Sequence, residues 1–332
     1  MLRIAACAAA VSLLPTLSAP PPAPEAKAAK PSAIVPGKPH VPTDRMRRIW
    51  GELVSLDLET RTGVFRDERD DKRIAFTVLP FAELLHHAAF GDLQDFRVGE
   101  RAIFRLHEND AGEWVLLTYI QDELNFLVGH KEYYHVDRID ADKGVIEYTQ
   151  GNADKSYVRA KGLTLEIDKD TRYWKDGRPA ALADVKVGDK LRAKTHGRGA
   201  GLHRVAWEVF LDDASVDRWR TEQQAVHRRR MAEEGLPGYV DAADPAARTV
   251  RITLFLEARD AAAGLKAGLP VKLAPAGADR KPSAGWAAGT LKEIRLAKRW
   301  YEATVTLDTA PDKGLVPTGV ARLLPGPGPS DR

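Results

Sequence analysis

Histidine is the side chain in this sequence best suited to holding a metal ion at neutral pH, and three of its pairings can be weighed by spacing. His86 and His87 are adjacent. The run around them, residues 82–89, reads as a short helix, on which neighbours point about 100° apart and do not close on one ion. His130 and His135 stand five apart, which on a strand puts them on opposite faces. His196 and His203 flank the loop Gly197-Arg198-Gly199-Ala200-Gly201 and can approach each other across a hairpin, so they are the metal candidates, though weak ones. The methionines are Met1, Met46 and Met231, none within a strand-like run, so a copper site of methionine beside histidine is not expected. No Gly-x-Ser-x-Gly elbow or phosphate-cradling Gly-x-x-x-x-Gly-Lys loop occurs. The acid pairs Asp67-Glu68 and Asp70-Asp71 sit in a turn of mixed charge, where solvation explains them. The sequence therefore predicts a protein that is not an enzyme, with no catalytic residues, no cofactor and no resident metal.

Rings offer the other route to function. Most aromatic residues of a small barrel belong to its core. Tyr133-Tyr134 and Trp300-Tyr301 differ, because adjacent residues on a strand face opposite ways and one of each pair must point outward. These four are the ligand-binding candidates. Arg228-Arg229-Arg230 has the chemistry to meet an anionic surface, but Asp217, Glu233 and Glu234 nearby favour a solvated, salt-bridged helix face.

The elements that must position these residues are mostly strands. From Arg48 onward, apolar and polar residues alternate in short runs broken by Gly, Asp and Asn. Two landmarks recur. The first is a strand entering an acidic turn: Leu53-Val54-Ser55-Leu56-Asp57, Val136-Asp137-Arg138-Ile139-Asp140, and more loosely Gly238-Tyr239-Val240-Asp241. The second is an apolar step closed by glycine: Leu93-Gln94-Asp95-Phe96-Arg97-Val98-Gly99, Leu182-Ala183-Asp184-Val185-Lys186-Val187-Gly188, and Leu265-Lys266-Ala267-Gly268. Glycine there supplies a left-handed turn into a new strand. The repeat predicts three modules, at 46–125, 130–212 and 236–325, with a linking helix over 213–235. The fold class is mainly β, three small barrels in tandem.

Ahead of the modules, Arg3, the apolar residues 4–14, Pro15 and then small residues have the three-part layout of a signal peptide over residues 1–18. The apolar run is too short for a spanning helix, which needs about 20 residues. Cys7, the single cysteine, lies at the start of that run, whereas a lipidated cysteine would close it. Cleavage after Ser18 would leave a mature chain without thiols, and so without disulfides. Residues 19–45 are rich in Pro and Ala and read as a disordered spacer. Export to the periplasm or the extracellular space is thus expected, with no transmembrane segment in the mature chain. The 50 basic residues nearly cancel 47 acidic ones, for a net charge of +3, which gives no support for a nucleic-acid partner.

The first module carries Gly51-Glu52-Leu53-Val54-Ser55-Leu56-Asp57, both of the first two carry Leu-x-Asp-apolar-x-apolar-Gly, and the second adds the Asp176-Gly177 hairpin. In this they resemble the tandem OB-like barrel repeats of exported bacterial proteins of unassigned function. The third module is similar instead to the β-barrel segment of periplasmic adaptor (membrane-fusion) proteins. The likeness runs through Leu265-Lys266-Ala267-Gly268-Leu269-Pro270-Val271, Gly289-Thr290-Leu291-Lys292-Glu293-Ile294, Ala303-Thr304-Val305-Thr306-Leu307 and Gly314-Leu315-Val316-Pro317-Thr318-Gly319-Val320. Together the resemblances imply a non-catalytic binding or scaffold protein of the cell envelope, whose partner is an envelope protein or a polysaccharide. An adaptor-like component of a transport assembly is the alternative, and a carbohydrate-active or metal-binding protein stands third.

Overall fold

The computed structural model describes residues 45–197, 204–283 and 285–326. The expected signal peptide, most of the spacer, and His203 lie outside the described residues.

The first module is built from β1 (Arg47–Asp57), β2 (Thr62–Asp67), β3 (Arg73–His86), β4 (Ala89–Phe90), β5 (Arg101–Glu108) and β6 (Trp114–Asp122). β1, β2 and β3 form an antiparallel meander, β3 runs parallel to β6, and β6 pairs through β5 back to β1. That closes a five-stranded barrel with Leu53, Phe65, Phe76, Phe104 and Leu117 inside. The helix α1 (Glu123–Gly129) follows, with the Asp122 carboxylate accepting from the Asn125 amide at its start.

The second module repeats the order with β7 (Glu132–Asp140), β8 (Val145–Asn152), β9 (Val158–Glu166), β10 (Arg172–Lys175), β11 (Arg178–Ala180), β12 (Lys190–His196) and β13 (Val205–Phe210). Its closure is again a parallel contact of third against last strand, Glu166 with Val205. β10 and β11 form an extra hairpin on its edge, turning at Asp176 and Gly177, both left-handed, as the Asp-Gly pair predicts. Both orders are consistent with OB-like barrels.

The helix α2 (Asp213–Glu233) then runs along the junctions, capped by Asp212, whose carboxylate accepts from the Ser215 amide at 2.7 Å. Val216 and Trp219 lean on Phe210, Trp174 and Leu124, while Met231 enters the third core. The third module comprises β14 (Leu236–Asp244), β15 (Thr249–Leu254), the single turn α3 (Arg259–Ala262), β16 (Pro270–Pro275), β17 (Ala287–Ala297), β18 (Trp300–Leu307) and β19 (Val320–Pro325). It is a closed six-stranded barrel, antiparallel throughout.

One device closes all three barrels. A left-handed residue donates its amide to a bulged strand residue, whose own amide donates back to the next carbonyl. Gly99 (φ 91°) does this with Leu53 at 2.7 and 2.9 Å, and Gly188 (φ 91°) with Val136 at 2.8 and 2.9 Å. In the third barrel the device occurs twice: Gly268 (φ 88°) on Leu291 and Thr318 (φ 68°) on Val240. The strand register slips at each receiving residue, as a bulge requires. The third barrel is therefore two β-β-turn-β halves whose turns are exchanged, β16 docking on β17 and β19 on β14.

The helix expected over 82–89 is absent. Phe81 to His86 continue β3 with alternating burial, Ala82, Leu84 and His86 inward. His87 (φ 47°) and Ala88 (φ 61°) then make a left-handed turn into β4. Cross-strand pairing of 83–85 with β6 outweighs the weak helical preference of this short run.

Candidate functional site

That correction brings together the residues that spacing alone had separated. His86 ends β3, His87 occupies the left-handed turn beyond it, and Asp122 ends β6. One ligand atom from each lies within 4.8 Å of the others, an arrangement of two imidazoles and a carboxylate suited to a divalent ion. The position between them is taken by a side chain of the second barrel. Lys194 on β12 places its Nζ 2.8 Å from His86 Nε2, 3.2 Å from His87 Nε2, 2.7 Å from Glu100 Oε1 and 3.2 Å from Asp122 Oδ2. All five residues are at most 5% exposed.

The electrostatics follow from that crowding. Burial alone would push the Lys194 ammonium down, but Glu100, Asp122 and Glu208 more than offset it and hold its pKa above the ordinary lysine value. Burial, together with Lys194 and His86, pushes His87 well below the usual imidazole range, so it is neutral. Burial would raise Asp122, yet Lys194, His86 and His87 hold it below the usual carboxylate range. A lysine ammonium thus serves as the resident cation of a metal-like ligand set. Around it, Glu208 of β13 approaches His87 Nε2 at 3.0 Å, Gln223 of α2 meets His86 Nδ1 at 3.0 Å, and the Asp122 carboxylate also accepts the His87 amide at 2.8 Å.

A second layer continues the network. Glu123 accepts from Arg101 at 2.7 Å and from the Tyr134 and Thr195 hydroxyls at 2.5 Å each. On α2, Arg230 bonds Asp92 and Asp95 at 2.8 and 2.6 Å, and His227 lies 3.3 Å from Asp92 while its other nitrogen meets the Glu257 carbonyl at 2.9 Å. Between the first and third barrels, Glu257 Oε1 accepts from Arg61 at 3.0 Å and from Arg280 at 2.9 Å, all three side chains being at most 1% exposed.

The sequence candidates fall differently. Tyr134 is 1% exposed, and its ring is core. Tyr133 points the other way but is covered by the Arg192 guanidinium, 3.9 Å from the ring centre, and its hydroxyl donates to Asp213 at 3.0 Å. Trp300 is 9% exposed and stacks on Phe81 of the first barrel at 5.0 Å, so the outward ring of that pair is spent on a junction. Tyr301 is half-buried and packs partly against the third core. His196 stacks on Trp207 at 4.8 Å. Sequence reasoning missed Glu100, just ahead of β5, and Asp122, Lys194 and Glu208 on three strands, which stand up to 121 positions apart from their partners. The available hint was the alternation through Ala82, Leu84 and His86.

No protein-family model matches the chain, and no curated protein matches its sequence.

Proposed function

We propose that the chain is a non-catalytic, exported scaffold of the cell envelope, presenting its barrels to a partner protein or polysaccharide. The observation that carries this reading is the enclosure of the acid–base groups. His86, His87, Glu100, Asp122, Lys194 and Glu208 are buried and mutually paired where two barrels meet, in the role of joints. Catalytic groups need access to substrate, whereas a scaffold needs its modules held at fixed relation. Within the resemblance to tandem OB-like repeats, the exposed barrel surfaces carry the binding, and Tyr301 and Tyr133 are the candidate rings left at least partly accessible.

The test is capture from envelope extract by the mature chain, beside a polysaccharide array, with the bound species identified. One retained protein or glycan, lost on Tyr301→Ala or Tyr133→Ala at unchanged melting temperature, is the expected result. Retention of nothing, or turnover of a glycan, overturns the reading.

The adaptor-like alternative rests on the third barrel, where the four resembling segments form the turn into β16, then β17, β18, and the turn into β19. Among the described residues there is no coiled-coil hairpin, the longest helix being the 21 residues of α2, and none is long and apolar enough to cross a membrane.

A further inference from the structure

Away from the Lys194 joint, a groove of about 780 Å³ opens where α2, the edge of the first barrel and the third barrel meet. Its floor and walls are apolar: Phe90, Met231, Leu236, Leu256, Leu324 and Pro325. Phe90 is 41% exposed there, a large ring left in water at the tip of a two-residue strand. Its rim is cationic. Arg228, Arg259 and Arg299 line it with His227, against Asp260 and Glu257. Those two acids are engaged, Asp260 by Arg259 and Glu257 by the buried Arg61 and Arg280. Arg299 is paired to Glu83, while Arg228 is exposed and has no carboxylate partner among the described residues. His227 is paired to Asp92, which leaves Arg228 as the cation of this rim without a carboxylate partner among the described residues.

We propose that this groove binds a free single-chain amphiphile with an anionic head, of the fatty-acid class, its chain on the apolar floor and its carboxylate at Arg228. Size and charge choose this occupant. The volume falls within the roughly 300–1,000 Å³ of small-ligand sites, less than a protein partner covers. An apolar bed with one uncompensated guanidinium on its rim complements a chain carrying one negative charge. A neutral sugar would leave Arg228 unused, and a cationic amphiphile would be repelled. The groove shares no residue with the Lys194 cluster, so this inference and the scaffold reading fail separately.

Isothermal calorimetry of the mature chain with dodecanoate, below its micelle concentration, tests it. Dodecyltrimethylammonium and phosphatidylglycerol vesicles serve as the comparison arms. Dodecanoate is expected to bind one per chain, at least ten times tighter than the cationic analogue. Arg228→Glu erases that preference. Ala232→Trp and Ala261→Trp, each made at an exposed position on the groove wall, weaken dodecanoate at least tenfold while melting temperature stays constant. No heat with dodecanoate up to about 1 mM, equal affinity for the two amphiphiles, dodecanoate binding untouched by both tryptophans, or association with vesicles alone would each overturn the proposal.

Discussion

Lys194 is a single side chain on which several buried charges depend. Replacing it with methionine keeps the stem volume but removes the ammonium that balances Glu100 and Asp122. Breaking a buried pair this way costs about 3–5 kcal/mol, because the carboxylates left behind have no water to turn to. Lys194→Met is therefore expected to lower the urea midpoint sharply at neutral pH, with an unchanged midpoint as the contrary result. A second outcome separates electrostatics from packing. With the smaller Lys194→Ala, His86, His87 and Asp122 stand free to take a divalent ion, and zinc at about 100 times its dissociation constant returns roughly 2.7 kcal/mol. The wild-type chain, with the ammonium in place, gains nothing from zinc under the same conditions. Proton linkage is readable at His227 as well. Burial lowers its pKa, but the Asp92 and Glu257 contacts together raise it by more, and the net shift is upward. Its contribution to stability is then fully present below the unfolded pKa near 6.5 and is lost as pH rises through the folded value. Thermal melts of the wild type and of His227→Gln should differ most at pH 6 and converge toward pH 9, and a constant difference would remove His227 from the joint.

Among the elements, the glycine-closed turn is the part of the fold that the sequence displays best. The step from Leu93 to Gly99 and its copy from Leu182 to Gly188 are legible because a left-handed turn before a barrel strand restricts residue type at several neighbouring positions. The fourth copy is not legible, since Thr318 takes the left-handed place and Gly319 follows it, so the glycine rule points one residue late. The helix α2 is legible too, since Asp212 and Asp213 stand at its start and Gly235 at its end. The run 82–89 looks helical in isolation because its partner strand lies some 35 residues away, and only pairing with β6 shows that its period is two. A contrast of glycines tests the turn itself. A Cβ on Gly188 meets nothing within 4 Å, so Gly188→Ala measures backbone strain alone, about 1–2 kcal/mol of destabilisation. Gly129, in α1 and equally open, lacks the left-handed backbone, so alanine there is expected to stabilise by up to about 1 kcal/mol. Equal effects at the two positions would refute the assignment of strain to the turn.

At the scale of the whole molecule, buried charge joins the barrels beside apolar contacts such as Ile103 in the second core and Phe81 on Trp300, and that charge is the feature least legible in the sequence. Arg61, Glu257 and Arg280 carry no motif and stand far apart in the chain, yet they meet with almost no exposure between the first and third barrels. Two guanidiniums share one carboxylate oxygen there, Arg61 lies 3.7 Å above the Phe255 ring, and among the described residues further nitrogens of both arginines, with the Tyr239 hydroxyl, have no hydrogen-bond partner. A junction so short of acceptors depends on the Glu257 carboxylate that both arginines share. Glu257→Gln keeps the shape of that side chain and removes the charge, leaving two arginines buried against each other at a cost of about 3–5 kcal/mol. The loss falls on the junction, because the Glu257 carboxylate is what pairs Arg61 of the first barrel with Arg280 of the third. Calorimetry of the wild type is therefore expected to show the barrels melting together, and Glu257→Gln to release the third barrel at its own lower temperature, giving two transitions. Arg61→Met and Arg280→Met serve as controls, since each lowers the positive excess and should cost less than the loss of the glutamate. If Glu257→Gln shifts a single transition without splitting it, or costs less than either arginine variant, the carboxylate is not what couples the third barrel to the first.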